Sequence, residues 1–300
     1  MIGHPVSTPS LVPLDVAQLD RWWDFDQPAA SEAKFREELA ALPGESSARL
    51  ELMTQIARAQ GLQRRFDDAH ATLDGVEAAL AGQPARVSVR CLLERGRAYN
   101  SSRQPDRAVP LFRAALDQAR AAGEDFLAID AAHMLGIAAP PPERLDWNLE
   151  AVKLTERTSD ARSRRWLASL YNNIGWTYHE RRDYARALEY FEKALPAWEE
   201  RASAGAIRAA KWSIARALRS LGRNDEAWTR QTALLAEAEK AGAPAGYVCE
   251  ELGELALAHG DAAAAKPWFA RAYAALSADA SFAANEPQRL ARLKTLGGDR

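Results

Sequence analysis

Apolar and polar residues alternate along this chain with the period of amphipathic helices. In residues 169–195, Leu170, Ile174 and Tyr178 fall on one helical face, and a second helical set follows. Arg182-Asp183 lies between the two sets, which is the chemistry of a turn and a helix start. No stretch shows the two-residue alternation of a strand. The pattern predicts a helix-turn-helix unit and an all-α fold.

The same arrangement occurs six times at nearly constant spacing. In the clearest copy, Gly175 is followed twelve residues later by Ala187, then by Phe191 and Ala194. The first anchors of the six copies are Ala57, Gly96, Gly136, Gly175, Ala215 and Gly253. Successive anchors are 39, 40, 39, 40 and 38 residues apart. Since two helices cannot bury their apolar faces alone, the units must stack, with the small residues where helix backbones approach closely and the aromatic residue beside them.

These anchors, with a tyrosine three residues after two of the glycines, resemble the tetratricopeptide repeat. That repeat usually has 34 residues, so these longer copies are similar to the long-repeat subclass typified by kinesin light chains. The pair Asn172-Asn173 is also typical of that subclass, as are Pro110 and Pro267 at one position of the second helix. The resemblance covers residues 48–278. It implies an all-α, right-handed superhelical α-solenoid of about six repeats with N- and C-terminal capping helices.

The pattern divides the chain into four segments. Residues 1–14 lack periodicity and are predicted to form a flexible tail. Residues 15–47 are predicted to be an N-terminal capping helix or degenerate repeat, with a helix starting at Asp26-Gln27-Pro28. The six repeats occupy residues 48–284. Residues 285–300 are expected to form a C-terminal capping helix and tail.

Four positions depart from the repeat pattern. Asn148 replaces the second small anchor, Gln231 replaces the aromatic residue, and Arg95 stands where a large apolar residue is usual. Pro140-Pro141-Pro142 is expected to end the first helix of repeat 3 early and to give that repeat an unusual turn.

Composition narrows the class of protein. The formal charge of −2 provides no basic field to attract nucleic acid or anionic lipid. The two cysteines lie in no metal-ligand or disulfide pattern. The first thirty residues lack the pattern of a secretory signal, and no run of eighteen apolar residues occurs. We therefore expect a soluble cytoplasmic protein without a cofactor.

In tetratricopeptide arrays the first helix of each repeat lines a concave groove, so the resemblance implies groove positions around each anchor. In repeat 1 these include Glu51 and Arg58. Across repeats 2–5 the groove positions hold four arginines and one aspartate, which predicts a basic, aromatic middle and an acidic end in repeat 6. The candidate ligand-binding residues are Arg97, His133, Asn172, Asn173, Trp176, His179, Trp212, Arg216 and Arg219.

Structural roles remain open for several of these candidates. Trp176 and Trp212 could pack against adjacent helices, and Asn173 could be a structural asparagine of the repeat. Arg216 and Arg219 could be solvated or paired with glutamates of repeat 6.

The leading functional hypothesis is a non-catalytic interaction scaffold that binds a peptide segment of another protein in the groove. An acidic segment or a free C terminus would suit the arginines. One alternative is a regulatory sensor that binds a small peptide or metabolite and signals by changing superhelix shape. An RNA-binding repeat is a further alternative, which the net charge disfavours. No phosphate loop, GxSxG or HExxH motif is present, so we expect no enzyme, catalytic residue or metal site, and no membrane partner.

Overall fold

The computed structural model describes residues 14–298, apart from residues 43, 45 and 202. Thirteen of the fourteen residues in the predicted tail lie outside this range. The helices are α1 (Val16–Trp22), α2 (Pro28–Ala40), α3 (Ser47–Leu62), α4 (Phe66–Ala78), α5 (Ala85–Ser101), α6 (Pro105–Ala122), α7 (Asp125–Ala138), α8 (Pro141–Arg157), α9 (Trp166–Glu180), α10 (Tyr184–Glu200), α11 (Ala204–Ser220), α12 (Asn224–Lys240), α13 (Gly246–Ala258), α14 (Ala262–Ser277), α15 (Ala280–Asn285) and α16 (Pro287–Gly297). A short 3-10 helix covers Ala161–Arg165.

The six predicted helix pairs are present, so the prediction of an all-α repeat solenoid is confirmed. Repeats 1 to 6 are the pairs α3/α4, α5/α6, α7/α8, α9/α10, α11/α12 and α13/α14. The anchor glycines lie where predicted: a Cβ on Gly175 would come within 2.5 Å of the Phe191 ring, and one on Gly96 within 2.5 Å of Phe112. The aromatic residue of the second helix therefore packs directly on the glycine of the first.

The turns within the repeats share one backbone geometry. In five of the six, one residue has a φ of 61° to 80°, in the left-handed region. These residues are Arg64, Arg103, Arg182, Gly222 and Gly260. Repeat 3 is the exception predicted from its prolines: α7 ends at Ala138, the next residue is extended, and α8 begins at Pro141.

The polar residues that depart from the repeat pattern are accommodated in different ways. Asn148 is buried in place of a small residue, and its Nδ2 donates hydrogen bonds to the carbonyls of Gly136 at 3.1 Å and Arg144 at 2.9 Å. Arg95 extends to α4, where its guanidinium lies 2.7 Å from Asp74 and 3.0 Å from Glu77. Two of the unusual side chains thus bind polar partners of the neighbouring helix.

The packing divides the chain into two compact units. The N-terminal unit extends to Trp166 and holds repeats 1–3, whereas the C-terminal unit begins at Leu167 and contains repeats 4–6, apart from the first residue of α9. At the start of the first unit, Phe35 of α2 is buried against α3. Near the end of the second, Leu293 of α16 is buried in a cluster with Phe269 of α14. Each unit therefore has its own hydrophobic core.

Both cysteines, Cys91 and Cys249, are buried and free. Burial raises the pKa of the Cys91 thiol to about 11, so this thiol stays protonated at neutral pH. Across the residues that the structure describes, no helix has both the length and the apolar character needed to span a bilayer.

Candidate ligand-binding site

One aromatic side chain from each successive first helix of the C-terminal unit forms a continuous row. Trp176 of α9 lies 5.8 Å from Trp212 of α11, measured between ring centroids, and Trp212 lies 5.9 Å from Tyr247 of α13. Phe282 of α15 follows at 5.7 Å. The Trp212 indole also donates a hydrogen bond to the Tyr247 carbonyl at 3.1 Å. We call these four residues the aromatic row. Its members are 35 or 36 residues apart, which is shorter than the 38 to 40 residues between anchors, so Trp212 and Tyr247 lie progressively earlier relative to the anchors of their repeats.

A cavity of about 420 Å³ opens beside this row, between α9, α11, α12 and α13. We call it the row pocket. Trp176, Trp212 and Tyr247 form one wall. Two small residues of α11 at the pocket, Gly205 and Ala209, leave this space open. No atom lies within 4 Å of the position that a Cβ on Gly205 would take. The remaining apolar lining is contributed by Leu234, Ala238, Pro244, Ala245 and Val248.

Few polar side chains line the row pocket, and two of them can bind a ligand. Asn172 of α9 presents an amide, which both donates and accepts hydrogen bonds. Arg208 of α11 presents a guanidinium, and within the described residues it forms no ion pair with a carboxylate. The pocket therefore combines apolar walls with one uncompensated positive charge, an arrangement that suits an apolar group next to an anion.

The other arginines of this unit's first helices are compensated. Arg216 and Arg219 of α11 both bind the buried carboxylate of Glu251, with Arg219 Nε 2.7 Å from Glu251 Oε2. Burial lowers the pKa of Arg219, but its hydrogen bond and the charge of Glu251 outweigh this effect and raise the pKa. Arg289 of α16 lies 2.6 Å from Glu250 in the same way.

The expectation of a basic middle groove is therefore wrong. Arg216 and Arg219 instead follow one of the alternatives left open for them, which is pairing with a glutamate of repeat 6. The charge count failed because Glu251 lies one residue beyond the groove position of α13 and was not included in it. A similar omission affects the N-terminal unit, where Glu94 was not counted.

In the N-terminal unit, Arg97 lies between two acidic groups. Its guanidinium is 2.6 Å from Glu94 and also binds Asp130. Burial acts to lower the pKa of Arg97, but both carboxylates raise it above its ordinary value. Arg58 is a further partner of Glu94, at 3.7 Å. Arg97 is therefore part of an internal ion-pair network.

His133 lies beside this network, and its ring is 4.9 Å from the ring of Trp166. Burial lowers the pKa of His133 to about 4; Arg97 and Arg58 lower it further, whereas Asp130 opposes them. The imidazole is therefore neutral at physiological pH.

The two remaining candidates, His179 and Asn173, lie on α9. His179 Nε2 forms a hydrogen bond with Ser220 Oγ at 2.9 Å, and its ring lies 5.2 Å from Trp176. Burial lowers its pKa, with a further contribution from Arg216. Asn173 does not line the row pocket, and its buried Nδ2 has no hydrogen-bond acceptor in the described part of the chain.

The structure thus brings Asn172, Trp176 and Trp212 together at one pocket, with His179 next to Trp176. Sequence reasoning missed Arg208, although it lies one helical turn before Trp212 and helical spacing could have found it. It also missed the walls from α12 and the α12–α13 turn, because the groove template considers only first helices. Among the described residues, no three His, Cys, Asp or Glu side chains are grouped so that they could hold a metal ion.

Comparisons with known proteins agree with this architecture. Residues 167–202, which include most of α9 and all of α10, match the tetratricopeptide repeat family model. The crystal structure of apo RapI is 14% identical with a TM-score of 0.68, covering 94% of this chain and 80% of that chain. A Rap protein complexed with Competence and Sporulation Factor is 14% identical, with a TM-score of 0.61 and coverages of 93% and 80%.

A third similar structure is a signal transduction ATPase of the STAND type with a tetratricopeptide repeat sensor, from Pyrococcus horikoshii. It is 13% identical with a TM-score of 0.67, covering 94% of this chain but only 43% of that larger chain. The comparison with curated proteins finds no match. Together, these comparisons show that residues 167–202 form a repeat of the tetratricopeptide type and that the chain has the fold of a tetratricopeptide-repeat solenoid.

Proposed function

We propose that this protein is an interaction scaffold that holds a peptide segment of another protein along the aromatic row. The observation that carries the proposal is the row pocket: about 420 Å³, walled by two tryptophans and a tyrosine, and edged by an arginine that has no acidic partner among the described residues. Tryptophan, tyrosine and arginine are the residues that dominate binding energy at protein interfaces. A partner's apolar side chain would fill the pocket.

The polar residues of the row pocket supply the rest of the recognition. The Asn172 amide can pair with both a backbone N–H and a backbone carbonyl of an extended segment. Arg208 can bind a carboxylate, from either an acidic side chain or a free C terminus. Arg216 and Arg219 contribute less, because Glu251 already occupies their hydrogen-bonding groups.

The structural comparisons support a binding role without specifying the partner. The Rap protein of similar fold is complexed with Competence and Sporulation Factor, so this fold can hold a factor of that kind. The repeat domain of the Pyrococcus horikoshii protein is described as a sensor, which accords with the alternative of ligand sensing. Neither function requires a catalytic group, and we infer that the chain is not an enzyme.

The test is to fill the row pocket without disturbing the core. Ala209 is exposed on α11, so Ala209→Trp places an indole in the pocket while the helix stays intact. Peptides selected from a random library on the wild-type protein should lose at least about tenfold in affinity, because a buried apolar anchor is worth more than 1.4 kcal/mol. Ala236→Trp, on the exposed face of α12, is the matched control.

A second pair of variants tests the anion. Arg208→Glu should abolish binding of the selected peptides, whereas Arg230→Glu on exposed α12 should not. Repeating the measurement with amidated peptides separates a C-terminal carboxylate from an acidic side chain, because only the former is lost on amidation. Equal binding to wild-type protein and to Ala209→Trp would show that the row pocket is not the site.

A further inference from the structure

The first described residues of the chain lie against the groove side of the N-terminal unit. The backbone N–H of Leu14 donates to Glu51 Oε1 at 3.4 Å, and the Trp23 indole N–H donates to Gln55 Oε1 at 3.1 Å. Glu51 belongs to the groove positions that the repeat pattern gives for α3, and Gln55 lies one turn further along the same helix. We call residues 14–25 the N-terminal strap.

Aromatic contacts reinforce this placement. The Arg58 guanidinium, at a second groove position of α3, lies 5.7 Å from the Trp23 ring centroid and 5.4 Å from that of Phe25. The two aromatic rings stack on one another at 4.6 Å. The strap therefore covers the groove side of α3.

The strap also reaches the other end of the same unit. Asp20 lies 2.9 Å from Arg165, in the 3-10 helix that follows α8. Between these ends, α3 packs on α5, α5 on α7, and α7 on the 3-10 helix. The strap thus connects the first and last elements of the row of first helices. It lies where a bound segment would lie.

The groove positions beneath are charged but buried. Glu51 is 1% exposed, Arg90 is 8% exposed and Asp130 is 4% exposed. Arg90 Nε lies 3.1 Å from Glu51 Oε2, so these groups compensate one another. Charged side chains in a groove that is open to solvent would keep water contact; here that contact is largely lost. These charged groove positions are thus already satisfied by one another and, at Glu51, by the strap.

The strap is held by few strong interactions. Its helix, α1, has seven residues, and a helix of that length is marginal without tertiary contacts. The Asp20–Arg165 pair joins side chains that are 46% and 61% exposed, and ion pairs between exposed side chains contribute little to stability. Leu14 and Leu19 are the main apolar anchors, buried beside Phe35. A segment held in this way can open locally while the rest of the unit stays folded.

We propose that the N-terminal strap is a releasable intramolecular occupant of the N-terminal unit's groove, and that it competes for this surface with a partner segment of the same chemistry. The chemistry is visible in the strap: three aspartates, one arginine and several large apolar side chains. Its net negative charge complements Arg58 and Arg165. The proposal concerns a different unit from the row pocket and does not depend on the function proposed there.

The experiment uses the full-length chain and a fluorescently labelled synthetic peptide of residues 14–25. Asp20→Arg reverses the charge opposite Arg165 and should release the strap. Hydrogen exchange of the α1 amides should then accelerate, and the labelled peptide should bind more tightly. If the wild-type strap is closed nine-tenths of the time, complete release would raise the apparent affinity about tenfold, which is the upper limit of the gain.

Two further variants separate release from general damage. Arg165→Asp added to Asp20→Arg restores opposite charges between the strap and the 3-10 helix, so protection of the α1 amides from exchange should return towards the wild-type value. Arg21→Glu also reverses a charge on α1, at an exposed side chain, and should leave the strap closed. A peptide carrying Trp23→Phe should bind less well, because it lacks the N–H that reaches Gln55.

Unchanged exchange and unchanged peptide binding in Asp20→Arg would overturn the proposal and make the strap a fixed part of the core. Failure of the charge swap to restore protection would count against it as well. Neither result bears on the row pocket, which is tested separately with Ala209→Trp.

Discussion

Asn148 and Gln231 are both polar residues at positions where the repeat expects a small or an aromatic side chain, and both are fully buried. Asn148 donates two hydrogen bonds to backbone carbonyls. Neither side-chain polar atom of Gln231 has a partner in the described part of the chain. The same kind of substitution is therefore partly compensated in repeat 3, where Asn148 Oδ1 alone lacks a partner among the described residues, and uncompensated in repeat 5.

Replacing Gln231 by leucine should stabilise the protein. An unsatisfied buried polar group costs about 1–3 kcal/mol, and leucine of similar volume removes that cost. We expect the free energy of unfolding, measured by urea denaturation, to rise by about 1 kcal/mol. Asn148→Ala is the opposite control and should lower it by about 1–2 kcal/mol, because two hydrogen bonds disappear and the Gly136 carbonyl loses its donor. A destabilised Gln231→Leu would show that the amide has a partner in solution.

His133 should make stability depend on pH. Its pKa is about 4 in the folded protein and about 6.5 when unfolded. Between these values the unfolded chain binds a proton that the folded chain does not, so stability falls as pH decreases from about 6.5 towards 4. The loss attributable to this residue is at most about 3 kcal/mol.

His133→Gln removes this titration while keeping a polar side chain. Urea unfolding at pH 7.5 and pH 4.5 should therefore show a smaller pH effect in the variant than in the wild type. Taking the difference between the two proteins cancels the titration of the carboxylates in the nearby network. Equal pH effects in both proteins would contradict the lowered pKa.

Each of the six helix pairs depends on contacts between the anchor residue of its first helix and the second helix of the same repeat. Gly96, Gly175 and Gly253 each lie against a phenylalanine ring, whereas Gly136 lies against Asn148. The backbone at these glycines does not adopt positive φ. Glycine is required there because the side chain of the second helix lies too close to leave room for a Cβ. This explains why the glycines lie at regular intervals.

Gly175→Ala should destabilise the protein although alanine is the better helix former. The added Cβ would lie 2.5 Å from the Phe191 ring, and relieving such overpacking costs about 1–3 kcal/mol. Gly75→Ala is the matched control, in the interior of α4. There the nearest atom lies 3.5 Å from the new Cβ, so helix propensity should stabilise by about 0.5–1 kcal/mol. Thermal unfolding followed by circular dichroism should shift in opposite directions.

The two shortest α-helices were not predicted. α1 has seven residues and α15 has six, so neither completes enough turns to show a helical period. Their formation depends on tertiary contacts: Leu19 is buried against α2 and α3, and Phe282 against the C-terminal core. A local pattern cannot reveal helices that depend on burial against distant residues.

At the scale of the whole molecule, the two units differ in what their first helices present. In the N-terminal unit these helices present a buried ion-pair network, with the strap against α3. In the C-terminal unit they present the aromatic row and an open pocket of about 420 Å³. The overall charge of −2 shows neither feature, since the charges cancel within each network. The open surface and the occupied surface therefore belong to different units.

The sequence by itself determined the class of fold, the positions of six helix pairs, the unusual turn of repeat 3 and the close contacts of the glycine anchors. These depend on residues near one another along the chain, where helical period and turn chemistry act locally. It also located Asn172, Trp176 and Trp212. Only the tertiary structure decided which arginines keep a free charge, because Glu251 approaches Arg216 and Arg219 from the neighbouring repeat. Asp130 approaches Arg97 in the same way. The row pocket and the strap were likewise beyond reach of the sequence, since both are made by surfaces that meet only after the chain has folded.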